Sequence, residues 1–365
     1  MYIRYRYLER LDVKKYYKDK SFSKFLELGY FINDIEKEQL ELRIKKLLNN
    51  RNFVSVSSGT NAIYLIFKSL KLKKKDEVIV PCLSWLSSFT SIKMAGCKVI
   101  GSDIDENLHL DFNDLKKRVN KNTKAVLFVH FGGLCKDLRE IKKFLKKKKI
   151  ILVEDCAQSF GTKINNIYSG SFGDYSAFSM NPMKVFGCLG EAGGIGFKQN
   201  KFIDDFKLLR YAGIYKKEFC KVAELNHKVD NIHCHALKKN LKNLNKIIKK
   251  RISNANLYNK YLTKKIVKPI YTKTFQHNYY NYTIRTKNRT KLISYLKKNK
   301  IETKINHKHL ISDFPPFKKE NKLKSFKNAK IIVKEILSLP IDENLSKKEI
   351  FYVIKKINYF FSKKL

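Results

Sequence analysis

One lysine stands apart in a chain crowded with them. Lys184 lies among glycines and aromatics, and its nearest charged neighbours in sequence are Asp174 and Glu191. An ε-amine in such apolar surroundings sheds water and becomes a nucleophile that can condense with a carbonyl group to form a Schiff base. Upstream, the apolar run 150–153 ends in Glu154-Asp155, with Gln158 three residues later, so a carboxylate is delivered at the end of a strand. Ser58-Gly59-Thr60 follows another apolar run and opens a helical pattern, where free backbone N–H groups and the helix dipole suit a phosphate. Trp85, the single tryptophan, sits just past a further strand end and offers an aromatic face for stacking. Ser179 adds a hydroxyl. Taken singly, these are an ordinary helix cap, a strand end and a core aromatic; their joint arrangement is what suggests chemistry.

Such residues need a scaffold, and the hydrophobic pattern describes one. A helical period over 34–49 is followed by short apolar strands at 53–56, 78–80, 98–101, 125–129 and 150–153. Helical patterns at 62–70, 87–95 and 138–145 separate them. This alternation predicts an α/β protein with a large, mostly parallel sheet and helices on both faces. Ligands bind beyond the carboxyl ends of the strands in such sheets. Ser58, Trp85, His130 and Asp155 each come at a strand end, so they are expected to face one crevice. After about Gly213 the pattern changes to a long lysine-laced helix at 226–261, a strand at 280–285 and a terminal helix at 347–361. The expected division is residues 1–213 as the large unit, with the N-terminal segment, and 214–365 as a smaller C-terminal α/β unit.

A lysine for the Schiff base, a carboxylate to keep a pyridine nitrogen protonated, an aromatic for the ring and donors for a phosphate are together what pyridoxal 5'-phosphate (PLP) requires. The chain resembles the DegT/DnrJ/EryC1/StrS family of nucleotide-sugar aminotransferases. The resemblance rests on Ser57-Ser58-Gly59-Thr60-Asn61-Ala62, the segment Pro81 to Thr90, and Val129-His130 with Gly132. Glu154-Asp155-Cys156-Ala157-Gln158, Phe178-Ser179 through Lys184, and later His307 and Leu337 to Pro340 extend it over nearly the whole chain. It implies the PLP fold-type I architecture of aspartate aminotransferase, with Lys184 as Schiff-base lysine and proton shuttle and Asp155 paired with the pyridinium. Gln158 would lie on the O3′ side of the ring and Trp85 stack upon it, while Ser58, Gly59, Thr60 and Ser179 hold the phosphate. It also implies a homodimer with shared active sites, Asn226 of one subunit reaching the cofactor phosphate of the other. His307 would line the sugar pocket; His130 either lines it too or is a satisfied core histidine. The implied reaction moves an amino group from an amino-acid donor, L-glutamate or glutamine, to a keto sugar carried on a nucleoside diphosphate, for glycan or lipopolysaccharide synthesis. A branch of sugar dehydratases has histidine where Lys184 stands, so lysine implies transamination.

The chain departs from the family pattern in one stretch. Where the family reads N-x-R followed by Q-A-A, this chain has Asn226-His227-Lys228 and His233-Cys234-His235. Lys228 keeps the charge without the bidentate fork of arginine, and the two histidines put bulk where small residues pack. These changes admit an alternative, a PLP-binding scaffold or regulator of the same fold without transfer activity. Composition bounds the rest. The net charge of +44 comes from lysines spread along the chain, which does not describe a phosphate-tracking footprint, so no specific nucleic-acid partner is expected. No apolar run reaches the ~18–20 residues of a membrane span. The N-terminus has no apolar leader, and seven cysteines without a C-x-x-C pair suit a reducing, cytoplasmic setting. The histidine spacings match no structural zinc site, so no metal is expected.

Overall fold

The computed structural model describes residues 1–11, 18, 20–29, 31–32, 34–49, 51–216, 218–270, 275–322 and 325–363. Seven strands build the main sheet: β1 (Asn52–Val56), β2 (Glu77–Pro81), β3 (Lys98–Ser102), β4 (Thr123–Val129), β5 (Ile151–Asp155), β6 (Tyr175–Ser179) and β7 (Gly193–Phe197). Their order is β1-β7-β6-β5-β4-β2-β3. Every neighbouring pair is parallel except those of β7, which runs against both β1 and β6. The strands read as continuous apolar runs because both faces are covered. Along β4, Ala125 and Leu127 join one core while Val126 and Phe128 join the core on the opposite face. Helices α1 (Gly59–Ser69) and α2 (Ser87–Met94) cover the first face with Leu65, Ile66, Phe89 and Ile92. The helix Arg139–Lys147 covers the second with Ile141 and Leu145.

Glycine is required on β7 by close approach. A Cβ on Gly194 would lie 2.0 Å from the Phe53 ring, and one on Gly193 would lie 2.3 Å from the backbone carbon of Ser58. The reversed strand therefore presses directly on the loop that opens α1.

The C-terminal part differs from expectation at two element starts. Helix α3 spans Asn231–Tyr261 and begins after Asp230, not at Asn226. Residues just before it are committed elsewhere: Asn226 bridges to Tyr211, and the His227 carbonyl accepts from Ser57 N at 2.9 Å. Strand β8 likewise spans Tyr282–Arg285, because Asn281 N donates to the Gly132 carbonyl at 3.0 Å and so belongs to the crevice. It pairs antiparallel with β9 (Ile336–Leu339), and both pack on the terminal helix α4 (Lys347–Ser362).

Packing does not divide at a single point in the sequence. Ile3 and Tyr7 join the core built by β8, β9 and α4, whereas Leu310, Ile311, Phe317, Phe326 and Ile332 join the core of α1 and α2. Helix α3 spans two cores: Leu237, Leu244 and Ile248 pack with Phe160, Phe178 and Phe186, and Ala255 and Tyr258 pack with the C-terminal elements.

Candidate active site

The expected residues converge beyond the carboxyl ends of the strands. Asp155, last residue of β5, is buried; its Oδ2 accepts from Ser88 Oγ at 2.9 Å and its Oδ1 from Ala157 N at 3.0 Å. Burial raises its pKa, against the pull of Ala157, Ser88 and the nearby Lys184 cation. Ser88 lies on α2 and is itself held by Ser84 at 2.9 Å. The segment carrying Trp85 thus also supports the carboxylate, a role that nothing in the serine-rich run 84–91 signals from sequence.

Ser58 is the N-cap of α1, its Oγ accepting from Asn61 N at 3.1 Å. Thr60 Oγ1 and Ser87 Oγ lie 2.8 Å apart, so the N-terminal ends of α1 and α2 meet at the crevice. Gly59 packs against Ser179 so closely that a Cβ there would lie 2.6 Å from the Ser179 Cβ. Glycine is needed at this contact, and it leaves the backbone N–H groups and two hydroxyls around one small cradle.

Lys184 is half-buried on the loop after β6, its Nζ 4.7 Å from the centre of the Tyr280 ring. Gln158 is buried, with Oε1 accepting from Gly132 N at 2.8 Å, which leaves its Nε2 as a donor. Trp85 is 64% exposed and meets His307 edge-on at 6.2 Å; His307 meets Phe131 in the same way at 5.3 Å. Burial, with the Lys184 and Lys304 charges, pushes the His307 pKa down to about 4, so this ring is neutral near pH 7. Its φ of 61° places it in the left-handed region, where a side chain other than glycine is held only by its surroundings.

Two expected residues stand apart from this crevice. His130 is fully buried, so it is removed from the pocket-lining set: its Nε2 lies 2.8 Å from Glu154 Oε2 and its Nδ1 accepts from Lys136 N. Glu154 also accepts from the N–H groups of Gly170, Phe172 and Gly173. Burial alone would raise Glu154, but His130 and these donors hold it below its ordinary value. The pair therefore braces β4 and β5 behind Asp155. His130, Glu154 and Cys156 bring possible ligand atoms within 4.8 Å, yet the carboxylate is already saturated with donors. Asn226 is exposed, beside its own chain's Ser57 through the neighbouring His227.

The unusual histidines are accommodated. A Cβ on Gly190 would lie 2.6 Å from His233, so the ring fills space that glycine leaves open. His235 stacks on Phe25 at 5.9 Å and bonds Glu36 at 3.2 Å. The residues missed from sequence are Tyr280 and Arg6. Arg6 Cζ lies 4.8 Å from the Tyr280 ring centre, and its guanidinium bonds the Tyr280 carbonyl. The only sequence sign was an aromatic run, His277 to Tyr282, whose period suggests no more than a strand.

A seven-stranded sheet in this order with one reversed strand, carrying a lysine, a buried carboxylate and a glycine cradle at its strand ends, is the fold-type I aminotransferase class of α/β protein. The chain belongs to the DegT/DnrJ/EryC1/StrS aminotransferase family, whose model matches residues 14–358. It is 28% identical over 318 residues to GDP-perosamine synthase of Escherichia coli O157:H7, covering 85% of this chain and 86% of the relative. It is 27% identical over 347 residues to the dTDP-3-amino-3,6-dideoxy-alpha-D-galactopyranose transaminase of Aneurinibacillus thermoaerophilus, covering 93% and 94%. The crystal structure of DesV from S. venezuelae has the same fold, with a TM-score of 0.94 over 99% of both chains at 23% identity.

Proposed function

We propose that this protein is a PLP-dependent aminotransferase acting on a keto sugar linked to a nucleoside diphosphate. The observation that carries this is the convergence on one crevice of Lys184, the buried Asp155 and the Gly59–Ser179 contact. The residues fit the cofactor. Asp155, raised by burial, gains from a cationic ring nitrogen beside it, and Ser88 and Ala157 fix its orientation. Ser58, Gly59, Thr60 and Ser179 hold the phosphate, Trp85 covers the ring face, and Gln158 donates from Nε2. When bound, pyridoxal phosphate supplies the electron sink. The ε-amine of Lys184 takes the proton from the donor's Cα and delivers it as general acid. His307, neutral at pH 7, lines the sugar side of the crevice with Trp85 and Phe131.

The acceptor class follows the named relatives, a GDP-linked and a dTDP-linked amino sugar, and L-glutamate is the proposed donor. The basic surface favours a diphosphate. Tyr211, Tyr215, Phe219 and Leu225 are exposed apolar residues in the stretch leading up to Asn226, and Trp85 and Leu86 are exposed as well. A second copy of the chain covers this face and brings its Asn226 to the phosphate cradle. Lys228, lying over the Tyr211 ring at 4.5 Å, belongs to the same segment. Among the described residues no helix is long and apolar enough to cross a membrane, which accords with a cytoplasmic enzyme. The scaffold alternative was motivated by the altered Lys228–His235 stretch, and multiple-turnover transamination with a keto sugar would exclude it.

The test is an absorbance spectrum before and after L-glutamate. A band at about 400–430 nm moving to about 330 nm is the expected result. A visible band indifferent to glutamate would point to another donor, and no band after adding pyridoxal phosphate would overturn the proposal.

A further inference from the structure

The crevice holds one aromatic hydroxyl with no role so far. Tyr280 lies between two cations: Lys184 Nζ is 4.7 Å from its ring centre, and Arg6 Cζ is 4.8 Å from the same ring. Its backbone is pinned as well. Tyr280 N donates to Asn278 Oδ1 at 2.9 Å, its carbonyl accepts from Arg6, and the adjacent Asn281 N donates to the Gly132 carbonyl at 3.0 Å. Arg6 is anchored in turn by the Ile341 carbonyl at 3.4 Å and Asn281 Oδ1 at 3.3 Å. A ring flanked by two cations at the tip of the lysine amine, on a backbone pinned at both its N–H and its carbonyl, is more than packing requires.

Resting on the cofactor reading above, we propose that Tyr280, braced by Arg6 of the N-terminal segment, is a positioning residue that holds the free ε-amine of Lys184 in place for proton transfer. The amine is tethered through the cofactor only part of the time; whenever substrate displaces it, a flexible four-carbon stem must keep its tip near the reacting atoms. An aromatic ring of fixed position beside the amine, attractive to its cationic form, confines that stem, and a misplacement of about 1 Å can cost roughly 100-fold in rate. The charged and titratable groups facing Tyr280 are Lys184, Arg6, Lys304 and Tyr5, and those facing Lys184 include Asp155 and His307. Burial would raise the Tyr280 pKa, but Lys184, Arg6 and Lys304 bring it below the ordinary tyrosine value.

Two measurements test this. In cofactor-free protein, tyrosinate absorbance is titrated in the native chain, Tyr280→Phe and Lys184→Met. The native-minus-Tyr280→Phe difference should show one tyrosine ionising below pH 10, moved upward in Lys184→Met. An unmoved titration would overturn the contact, and because the native chain and Lys184→Met can also be compared directly, the test survives a Tyr280→Phe variant that folds poorly. In loaded enzyme, Tyr280→Leu should lower kcat about 10- to 100-fold at unchanged KM for the amino donor, and Tyr280→Phe, which keeps the ring, should restore most of it. Native kcat in Tyr280→Leu would overturn the positioning role. Failure of the native protein to develop a visible band would instead sink the cofactor reading, which the tyrosinate titration does not depend on.

Discussion

At the residue scale, function rests on a few side chains whose neighbours decide what they can do. In the proposed mechanism, Lys184→Ala removes both the covalent attachment point and the proton carrier. Transfer should fall by roughly 100- to 10,000-fold from the lost acid–base function alone, and the visible band of the loaded enzyme should vanish. Single-turnover spectroscopy with glutamate measures both, and an active Lys184→Ala variant would end the assignment. Gly59→Ala is the sharper test of the cradle. Its methyl would press on Ser179 at 2.6 Å, and such overpacking costs about 1–3 kcal/mol. The expected result is weaker cofactor binding, read by titration with pyridoxal phosphate, together with a melting temperature lowered by a few degrees in cofactor-free protein. His130 shows the opposite relation between sequence and role: its place at a strand end is right, but its ring turns into the core to pair with Glu154.

At the element scale, the termini tie the C-terminal core to the crevice. Helix α4 starts with a capping box in which Ser346 accepts from Glu349 N and Glu349 reaches back to Ser346 N. Glu349 also holds Arg10 at 2.8 Å, so one carboxylate caps α4 and anchors the segment that carries Arg6. Burial opposes its ionisation, but Arg10 and Ser346 keep its pKa down at about 2. A carboxyl whose folded pKa is depressed contributes stability above its unfolded pKa of about 4.5 and loses it as pH falls through the folded value. The N-terminal segment should therefore loosen progressively between about pH 4.5 and 2, seen as faster amide exchange over residues 3–10. Glu349→Gln should show no such pH dependence in that window. Ser346→Ala should cost about 1 kcal/mol in denaturant unfolding.

At the scale of the whole molecule, the stretch leading to Asn226 carries exposed apolar side chains. Phe219 is 66% exposed and Leu225 70% exposed, next to the segment bearing Asn226. Burial of each such side chain contributes about 1.5–3 kcal/mol. Phe219→Asp with Leu225→Asp should weaken the proposed self-association by roughly 100-fold or more. Sedimentation velocity would show the shift to monomer, with transfer activity lost alongside while the melting temperature of the chain is nearly unchanged. Association that survives these changes would place the second copy elsewhere.

The parallel sheet and its alternating helices were legible in the sequence, as was the placing of Ser58 and Asp155 at strand ends and of Lys184 on a charge-poor loop. Each depends on local rules: apolar runs of strand length, a helix start with a free N-terminus, and a charge-poor stretch around one lysine. The start of α3 was misplaced because residues 226–229 satisfy their backbone on the Ser57 loop and Tyr211, far away in sequence. The pairing of His130 with Glu154, the support of Asp155 by Ser88, and the convergence of Arg6, Lys184 and Tyr280 were equally out of reach. Those contacts join residues 24, 67 and 274 positions apart. The pattern of a single chain carries period and local chemistry, whereas side-chain partners are chosen only when distant elements pack and every buried polar group must find one.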